Sequence, residues 1–380
     1  MRKLIYILNQ YSESESSHFH HIINLLEEIS KEEVRIVLII EKPIDVPRFN
    51  SKNISVMLQK KSGLGRFFEL LGMLRRLNKS GFKKVFVRIS QNGAIPAILI
   101  SKIFGGSVYY WQSGTGHRLD AKKRFNMKRY IKSELPFNIV KRYVNYFVTG
   151  PESMLEYYEQ VVGVKKNKLI CLYNDIDLDR FSSIDDKEKS ILKNELGIEK
   201  NKKIILFVHR LSPVRKSLFY MPYVLKNILQ NNNQYICYII GGGSEEEELI
   251  ELIKTENLEN KIFVLGQKQN NDIQKFYQVS DIFINPTYTE GFPRVLIEAM
   301  ASGLPTVTTN AGGTVDIVGE IQTRFMVDIQ DRDGFSAKLK ELIEDETTQK
   351  ELGLENQNFV KKFSTQNVAK MYIRELFKND

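Results

Sequence analysis

The chain has 380 residues, of which 27% are charged and 42% hydrophobic, which is typical of a globular protein and long enough for two domains. No apolar run approaches the length of a membrane-spanning helix. The two cysteines, Cys171 and Cys237, lie in or beside apolar strand-like runs without metal-ligand spacing. We expect them to pack in the core of a protein from a reducing cytoplasm.

The net charge of +9 belongs to the first half of the chain. Residues 1–180 contain 30 Lys and Arg against 17 Asp and Glu, whereas the remainder contains 25 against 29. The basic residues concentrate in Lys60–Lys84 and Arg118–Arg142, and in the second segment aromatic and aliphatic residues are interleaved with them. Such segments can lie on an anionic membrane surface, bind nucleic acid, or form a solvated face.

Strand-like and helical patterns alternate through the first half, beginning with an apolar run, Leu4–Leu8, that is too short for a signal peptide. The other predicted strands are Val34–Ile40, Ile54–Leu58, Lys84–Ile89, Ser107–Trp111, Tyr146–Thr149 and Leu169–Leu172. The predicted helices are His18–Ser30, Leu64–Lys79 and Ala94–Phe104. This βαβ order predicts a parallel, doubly wound sheet.

The same order restarts after a polar stretch, Asp185–Ser190, which we interpret as a linker between domains 1–184 and 185–363. The predicted strands of the second half are Lys203–His209, Tyr235–Ile240, Lys261–Leu265, Asp281–Asn285 and Thr306–Thr308. The last residues, 364–380, have the pattern of an amphipathic helix.

The most informative stretch is Asp281–Pro305, which predicts a strand, a polar loop and then a helix. The helix begins near Pro293, and the N–H groups and dipole of such a helix start favour a bound phosphate. Glu290 lies in the loop and Glu298 lies eight residues later in the helix. One carboxylate can therefore face a sugar and the other a ribose, with a diphosphate between them.

The string EGFPRVLIEAMASGLPTVTTNAGG closely resembles the signature of the retaining glycosyltransferases of family 4. The resemblance implies the α/β fold called GT-B, with two Rossmann-like doubly wound domains that face a central cleft. It implies that helix 364–380 packs back on the first domain. A cleft at the carboxyl ends of parallel strands suits a nucleotide ligand.

The resemblance further implies a nucleotide-diphosphate sugar as donor and a glycan or lipid-linked acceptor, without a metal or another cofactor. Because such acceptors are often lipid-linked, we expect Lys60–Lys84 and Arg118–Arg142 to contact an anionic membrane surface and not nucleic acid. The protein would then be cytoplasmic and peripheral on the inner face of the cell membrane.

On the donor side, the resemblance implies that Arg210 and a following lysine stabilise the leaving diphosphate. Lys216 is our assignment for that lysine, although Arg215 stands at the usual spacing. Glu290 would contact the transferred sugar and Glu298 the ribose. The remaining donor positions implied by the resemblance are Gly242 in a glycine turn, Gly266 and Gln267 beside the base, and Phe292, Pro293 and Arg294 beside the phosphates.

On the acceptor side, the chain departs from the family, because the loop after the first strand has no glycine. Ser16 and Ser17 are the predicted hydrogen-bond donors there. A histidine often follows the fifth strand in this family, but Gln112 and Ser113 stand in that place here. Two alternatives follow: His117 takes the role of that histidine from a shifted loop, or no residue of this chain takes it.

We expect from these residues a retaining glycosyltransferase in cell-surface polysaccharide synthesis. Two alternatives remain, namely a non-catalytic nucleotide-sugar-binding subunit and another GT-B enzyme such as an epimerase. A metal site at His18 and His21 is a further possibility from their spacing, but no third ligand accompanies them.

Overall fold

The computed structural model describes residues 1–12, 21–114, 126–215 and 217–378. Contacts between residues divide the described chain into two compact units. The first contains Met1–Ser113, residues 126–175 and the segment that starts at Thr365, and the second contains Ile176–Ser364. Each unit is built on its own parallel sheet.

The first unit contains a sheet of seven parallel strands in the order β3-β2-β1-β4-β5-β6-β7. Its strands are β1 (Arg2–Tyr11), β2 (Val34–Pro43), β3 (Ile54–Leu58), β4 (Lys84–Arg88), β5 (Ser107–Trp111), β6 (Tyr146–Thr149) and β7 (Leu169–Cys171). All seven predicted strands of this half are present, with ends that differ by a few residues.

Helices cover both faces of this sheet, which explains why its strands are almost continuously apolar. They are α1 (His21–Lys31), α2 (Gly63–Lys79), α3 (Gln91–Phe104), α4 (Leu135–Tyr143) and α5 (Glu152–Gln160), and a helical turn (Met127–Arg129) and a π-helical turn (Tyr130–Glu134) precede α4. Alternate residues of β1 point to opposite faces: Ile5 and Ile7 pack in the core under α2 to α5, and Tyr6 packs under α1.

The second unit contains six parallel strands in the order β10-β9-β8-β11-β12-β13. Its strands are β8 (Lys203–Val208), β9 (Tyr235–Ile240), β10 (Ile262–Val264), β11 (Ile282–Asn285), β12 (Thr306–Thr309) and β13 (Met326–Val327). Its helices are α6 (Asp186–Glu195), α7 (Tyr223–Asn231), α8 (Glu246–Thr255), α9 (Asn270–Val279), α10 (Arg294–Ala301), α11 (Arg332–Glu344) and α12 (Glu346–Phe359), with a short helix at Ser217–Tyr220.

The last helix, α13 (Thr365–Phe377), belongs to the first unit although it follows the second in sequence. Its apolar side, which includes Val368, Tyr372 and Leu376, is buried in the core that α1 and β1 form. The Tyr372 ring lies 5.4 Å from the ring of Phe86 in β4.

The predicted linker is not a linker in the structure, because the stretch from Asp185 onward begins α6. The Asp185 side chain accepts a hydrogen bond from the Glu188 N–H, and the Glu188 side chain accepts one from the Asp185 N–H. This reciprocal pair is a capping box, which explains why acidic residues open the helix. The two units meet in sequence at Asp175 and Ile176, nine residues before the boundary that we predicted.

Candidate functional site

The candidate site of the second unit lies where its strands end. His209 directly follows β8, Gly241–Gly243 follow β9, and Gly266 follows β10 after one residue. Glu290 follows β11 in a loop, and Gly312 follows β12. Because these strands are parallel, their carboxyl ends meet at one edge of the sheet, which is where ligands bind in doubly wound folds.

Glycines let the loops at this edge approach one another closely. A side chain at Gly241 would place its Cβ 1.9 Å from the carbonyl oxygen of His209, and one at Gly312 would place it 2.0 Å from that of Glu290. Gly312 also has a φ of +54°, in the left-handed region that glycine occupies without strain. Glycine at these two positions therefore fixes the backbones that carry His209 and Glu290.

The Glu290 carboxylate is buried and is held from two sides. Its Oε1 lies 2.7 Å from Nε2 of His209, and its Oε2 lies 3.0 Å from Nη1 of Arg215. Only 5% of the Glu290 side chain is exposed. Arg215 in turn donates a hydrogen bond to the carbonyl oxygen of Thr289.

These neighbours keep Glu290 ionised. Burial by itself raises the pKa of Glu290, but the positive charge of Arg215 and the hydrogen bond from His209 outweigh burial. The pKa of Glu290 therefore lies below that of an ordinary glutamate. The carboxylate can accept hydrogen bonds from hydroxyl groups of a ligand through its remaining lone pairs.

The second predicted carboxylate, Glu298, lies in α10 among different partners. Its Oε2 accepts a hydrogen bond of 3.0 Å from the Tyr277 hydroxyl, and its Oε1 lies 3.4 Å from Nη2 of Arg294. Burial raises the pKa of Glu298 above its ordinary value, although Arg294, Tyr277 and Arg180 favour the charged form. The two glutamates that the sequence places eight residues apart thus have pKa values shifted in opposite directions.

The start of α10 has the form that the sequence predicts for a phosphate site. Pro293 precedes the first helical residue, and its carbonyl oxygen accepts hydrogen bonds from the N–H groups of Leu296 and Ile297. The Phe292 side chain is 7% exposed, and its ring contacts that of Phe363 edge to face at 5.4 Å. The helix start is therefore anchored in the unit, with its positive dipole end directed to the loop that carries Glu290.

The glycine turn after β9 contacts the ends of the neighbouring strands, as expected for a wall of the site. The Gly241 N–H donates to the carbonyl oxygen of Gly266 at 3.0 Å, and the Leu211 N–H donates to that of Gly242 at 3.1 Å. A Cβ at Gly242 would lie 3.7 Å from that of Gln267. Gly242, Gly266 and Gln267 are therefore brought together.

The basic residues predicted after β8 lie in different places. Arg210 is exposed, and no hydrogen bond or ion pair of its side chain is found within the described part of the chain. Arg215 is engaged by Glu290 and Thr289, as described above. Lys216, which we assigned to the diphosphate, lies outside the described residues.

The acceptor-side predictions fall in the first unit. Gln112 and Ser113 directly follow β5, where the Gln112 amide oxygen accepts a hydrogen bond of 2.8 Å from the Tyr110 hydroxyl and Ser113 donates one of 2.9 Å to the carbonyl oxygen of Gly150. Ser16, Ser17 and His117 lie outside the described residues, as does His18 of the possible metal pair.

Within residues 1–12, 21–114, 126–215 and 217–378, no group of three or more His, Cys, Asp or Glu side chains is arranged to hold a metal ion. In the same ranges, no helix combines the length and the apolar character needed to cross a membrane.

Sequence reasoning missed His209 as a site residue and assigned it only as the end of a strand. The signal for it was weak, because the carboxylate that it contacts is 81 residues away. Tyr277 and Arg180 were also missed, and both lie beside Glu298. Their position depends on the packing of α9 and of the segment after β7, which a local pattern does not reveal.

The second unit is similar in sequence to known proteins. Residues 188–359 match the family model described as glycosyl transferases group 1. An Escherichia coli UDP-Gal:alpha-D-GlcNAc-diphosphoundecaprenol alpha-1,3-galactosyltransferase is 28% identical over 181 residues, which are 47% of this chain and 46% of that protein. An N-acetyl-alpha-D-glucosaminyl L-malate synthase from Bacillus anthracis is 26% identical over 191 residues, or 50% of this chain and 48% of that protein. The chain thus spans about half the length of the curated relatives that it matches.

Solved structures match over the whole chain. A sucrose-phosphate synthase from Thermosynechococcus elongatus has a TM-score of 0.79 at 16% identity, with all of both chains covered. Anabaena HepE, crystallised in complex with UDP-glucose, has a TM-score of 0.77 at 16% identity, also with all of both chains covered.

The predicted class is confirmed: the fold is α/β with two parallel sheets, as in the GT-B enzymes. The predicted resemblance to group 1 glycosyltransferases is confirmed over residues 188–359, which match the model of that family.

Proposed function

We propose that this protein is a retaining glycosyltransferase that moves a sugar from a nucleotide-diphosphate donor to a hydroxyl of a glycan or lipid-linked acceptor, in cell-surface polysaccharide synthesis. One observation carries the proposal: an ionised, buried carboxylate, Glu290, stands at the ligand-binding edge of the unit that matches the family.

In this proposal Glu290 accepts hydrogen bonds from the hydroxyls of the transferred sugar, and Glu298 accepts those of the ribose. The start of α10 and the exposed Arg210 stabilise the charge that develops on the leaving diphosphate, with Lys216 as the second cation. A leaving phosphate oxygen takes the proton of the acceptor hydroxyl, which attacks on the face that the diphosphate leaves. No metal is needed for this chemistry, because cationic side chains and helix N–H groups supply the positive charge.

The first experiment is a thermal-shift panel with UDP, GDP, ADP and CMP on the wild-type protein and on Glu298→Ala. A nucleotide at about 100 times its Kd stabilises the folded state by roughly 2.7 kcal/mol, which is readily measured. We expect one diphosphate to raise the Tm of the wild type and not that of the variant. Transfer from the matching nucleotide sugar, with retention of the anomeric configuration by NMR, then tests the reaction itself.

Two other functions predict different results. A non-catalytic subunit would bind a nucleotide sugar without releasing the nucleoside diphosphate, and an epimerase would change the sugar without an acceptor. Absence of binding by all four nucleotides would contradict all three readings of the site.

We also propose that the first unit contacts an anionic membrane surface. Its helices expose apolar side chains among basic ones, and α3 contacts both α2 and α4. We call this the basic apolar face; its exposed apolar residues are Leu64, Phe68, Leu99, Ile103 and Ile131, and its exposed basic residues are Lys60, Lys61, Arg75, Arg76, Lys79, Lys102, Lys128, Lys132 and Arg142. Each basic residue near anionic headgroups contributes about 1 kcal/mol.

Sedimentation with vesicles tests this surface. We expect binding to vesicles of phosphatidylcholine with phosphatidylglycerol, and little binding to phosphatidylcholine alone. Phe68→Ser together with Ile103→Ser should weaken binding, whereas Val214→Ser, at an exposed apolar position of the second unit, should not. Equal binding to both vesicle types would contradict the electrostatic part of the proposal. The same experiment tests the peripheral, cytoplasmic location that we propose for a protein whose basic apolar face contacts the membrane.

A further inference from the structure

We propose that His209 is the positioning residue of the sugar-binding carboxylate, so that it determines recognition of the donor sugar and not of the nucleotide. The inference rests on the proposed function, in which Glu290 accepts the hydroxyls of the sugar. It assigns a role to a side chain for which neither the family signature nor the spacing of the motif offered one.

The His209 ring has little freedom to move. Its backbone N–H donates to the carbonyl oxygen of Ile240 at 3.0 Å, and its own carbonyl oxygen lies against Gly241, where any Cβ would clash. The ring stacks near Phe207, with centroids 6.0 Å apart and planes inclined by 24°. The His209 side chain is 7% exposed, so that the contact between Nε2 and Glu290 is largely shielded from water.

The hydrogen bond defines the tautomer of His209. Nδ1 is buried, and no hydrogen-bond partner for it is found among the described residues. A proton on Nδ1 alone would therefore be left unpaired and would turn the Nε2 lone pair toward a carboxylate. Nε2 consequently carries a proton and donates a hydrogen bond to Oε1 of Glu290.

The two partners together set the plane of the Glu290 carboxylate. His209 occupies one oxygen and Arg215 occupies the other, at 2.7 and 3.0 Å. An ionised carboxylate has about four lone-pair positions, so that each oxygen keeps one for a ligand. Without His209, one oxygen loses its support and the carboxylate can rotate about the bond to its side chain. Sugar hydroxyls would then lose their acceptor, whereas the diphosphate and ribose contacts near α10 would be unaffected.

The test compares His209→Phe and His209→Gln with the wild type. Phe keeps the ring volume without a donor, and the Gln side chain places an amide N–H close to the position of Nε2. The ligand pairs are UDP with UDP-glucose, GDP with GDP-mannose, and ADP with ADP-glucose. For the pair that binds the wild type, thermal shift gives the extra stabilisation that the sugar adds to the nucleotide, and nucleotide release gives kcat and KM.

We expect His209→Phe to lose the increment due to the sugar while it keeps the shift produced by the nucleotide alone. Its kcat/KM should fall by about 10- to 100-fold, the effect of one hydrogen bond to a charged group. His209→Gln should recover most of the increment. In the wild type, nitrogen-resolved NMR of the imidazole should show a proton on Nε2.

Either of two results would overturn the inference: a sugar increment that His209→Phe retains in full, or a histidine protonated at Nδ1 only. Circular dichroism identifies a variant that has not folded, and in that case His209→Gln and the NMR measurement on the wild type still decide. If the wild type binds none of the nucleotides, the proposed function has failed, and the role of His209 fails with it. If the wild type transfers sugar normally and both variants do so equally well, only the inference fails.

Discussion

Both units bury a charged side chain at the carboxyl edge of their sheet, but they surround it differently. In the first unit Arg88, the last residue of β4, is 3% exposed, and its guanidinium lies 4.0 Å from the ring centroid of Trp111. Its Nη2 contacts Nε2 of His21 at 3.3 Å and donates to the side-chain oxygen of Asn174. In the second unit the charged group is Glu290, which two side chains of its own unit hold in place.

The difference lies in what each charge can still contact. Burial alone lowers the pKa of Arg88, but Tyr6, Tyr372 and Asp175 outweigh burial and raise it, so that the guanidinium stays charged. These partners come from β1, from α13 and from the point where the chain leaves the unit, which makes Arg88 a link between distant segments. Glu290 instead lies in a loop, at the level of a helix start that favours anions. The first charge links segments of the fold, and the second is the carboxylate that we propose contacts the donor sugar.

Replacement of Arg88 should have the largest effect on stability. Arg88→Met removes the cation that lies beside the buried side chains of Asn174 and Asp175. Removal of one partner from a buried charged pair lowers the free energy of unfolding by about 3–5 kcal/mol. Hydrogen exchange measured by mass spectrometry should show the loss of protection in peptides of β1 and β4. Arg76→Met, at an exposed position of α2, is the control and should change little. Unchanged protection of β4 in Arg88→Met would show that the cluster does not support the fold.

Replacement of Glu290, in contrast to that of Arg88, should have a small effect on the stability of the fold and a large effect on turnover. Glu290→Gln keeps the shape of the side chain but removes the charge of the carboxylate that, in our proposal, accepts hydrogen bonds from the hydroxyls of the transferred sugar. We expect kcat to fall by about 100-fold or more, while the shift in Tm produced by the nucleotide remains. Glu247→Gln, an exposed carboxylate of α8, is the control. A variant with most of its turnover would remove Glu290 from the mechanism.

The opposite pKa shifts of Glu290 and Glu298 predict opposite dependences on pH. The lowered pKa of Glu290 contributes stability that is complete above the pKa of an unfolded glutamate and is lost as the pH falls through the lower, folded value. The raised pKa of Glu298 lowers the stability of the fold once the pH exceeds the pKa of an unfolded glutamate. This loss of stability is complete when the pH exceeds the pKa of Glu298 in the folded protein.

The measurement is the Tm of Glu290→Gln and of Glu298→Gln relative to the wild type, from pH 7 down to about pH 3, because the lowered pKa of Glu290 lies below that of an unfolded glutamate. Since Gln resembles a protonated Glu, Glu290→Gln should be less stable than the wild type at pH 7, and the difference should shrink with acid. Glu298→Gln should compare more favourably with the wild type at pH 7 than at pH 4. Parallel curves for the two variants would mean that their surroundings do not differ in the way that the structure indicates.

Much of this could be predicted from the sequence, and the failures have physical causes. The parallel strands were predictable because they are continuous apolar runs, and the loop with Glu290 was predictable because its motif is local. The contact between His209 and Glu290 was not, because it depends on two loops that approach across the sheet edge. Arg88 was assigned only to a strand, since nothing in its neighbourhood in sequence shows that it is buried.

The capping of α6 is the smallest effect, and it shows what local patterns can reveal when they are read fully. Asp185 and Glu188 have the spacing of a capping box, yet the polar composition of the stretch led us to predict a linker. Asp185→Ala should lower the stability of the helix by about 1 kcal/mol, and Asp185→Ser, which can cap equally well, should restore it. Hydrogen exchange of the first turn of α6 would show this directly. If Asp185→Ala leaves that turn as protected from exchange as in the wild type, the capping box does not stabilise the start of α6. The burial of Lys193 and the packing of α6 against α9 would then hold the helix without its cap.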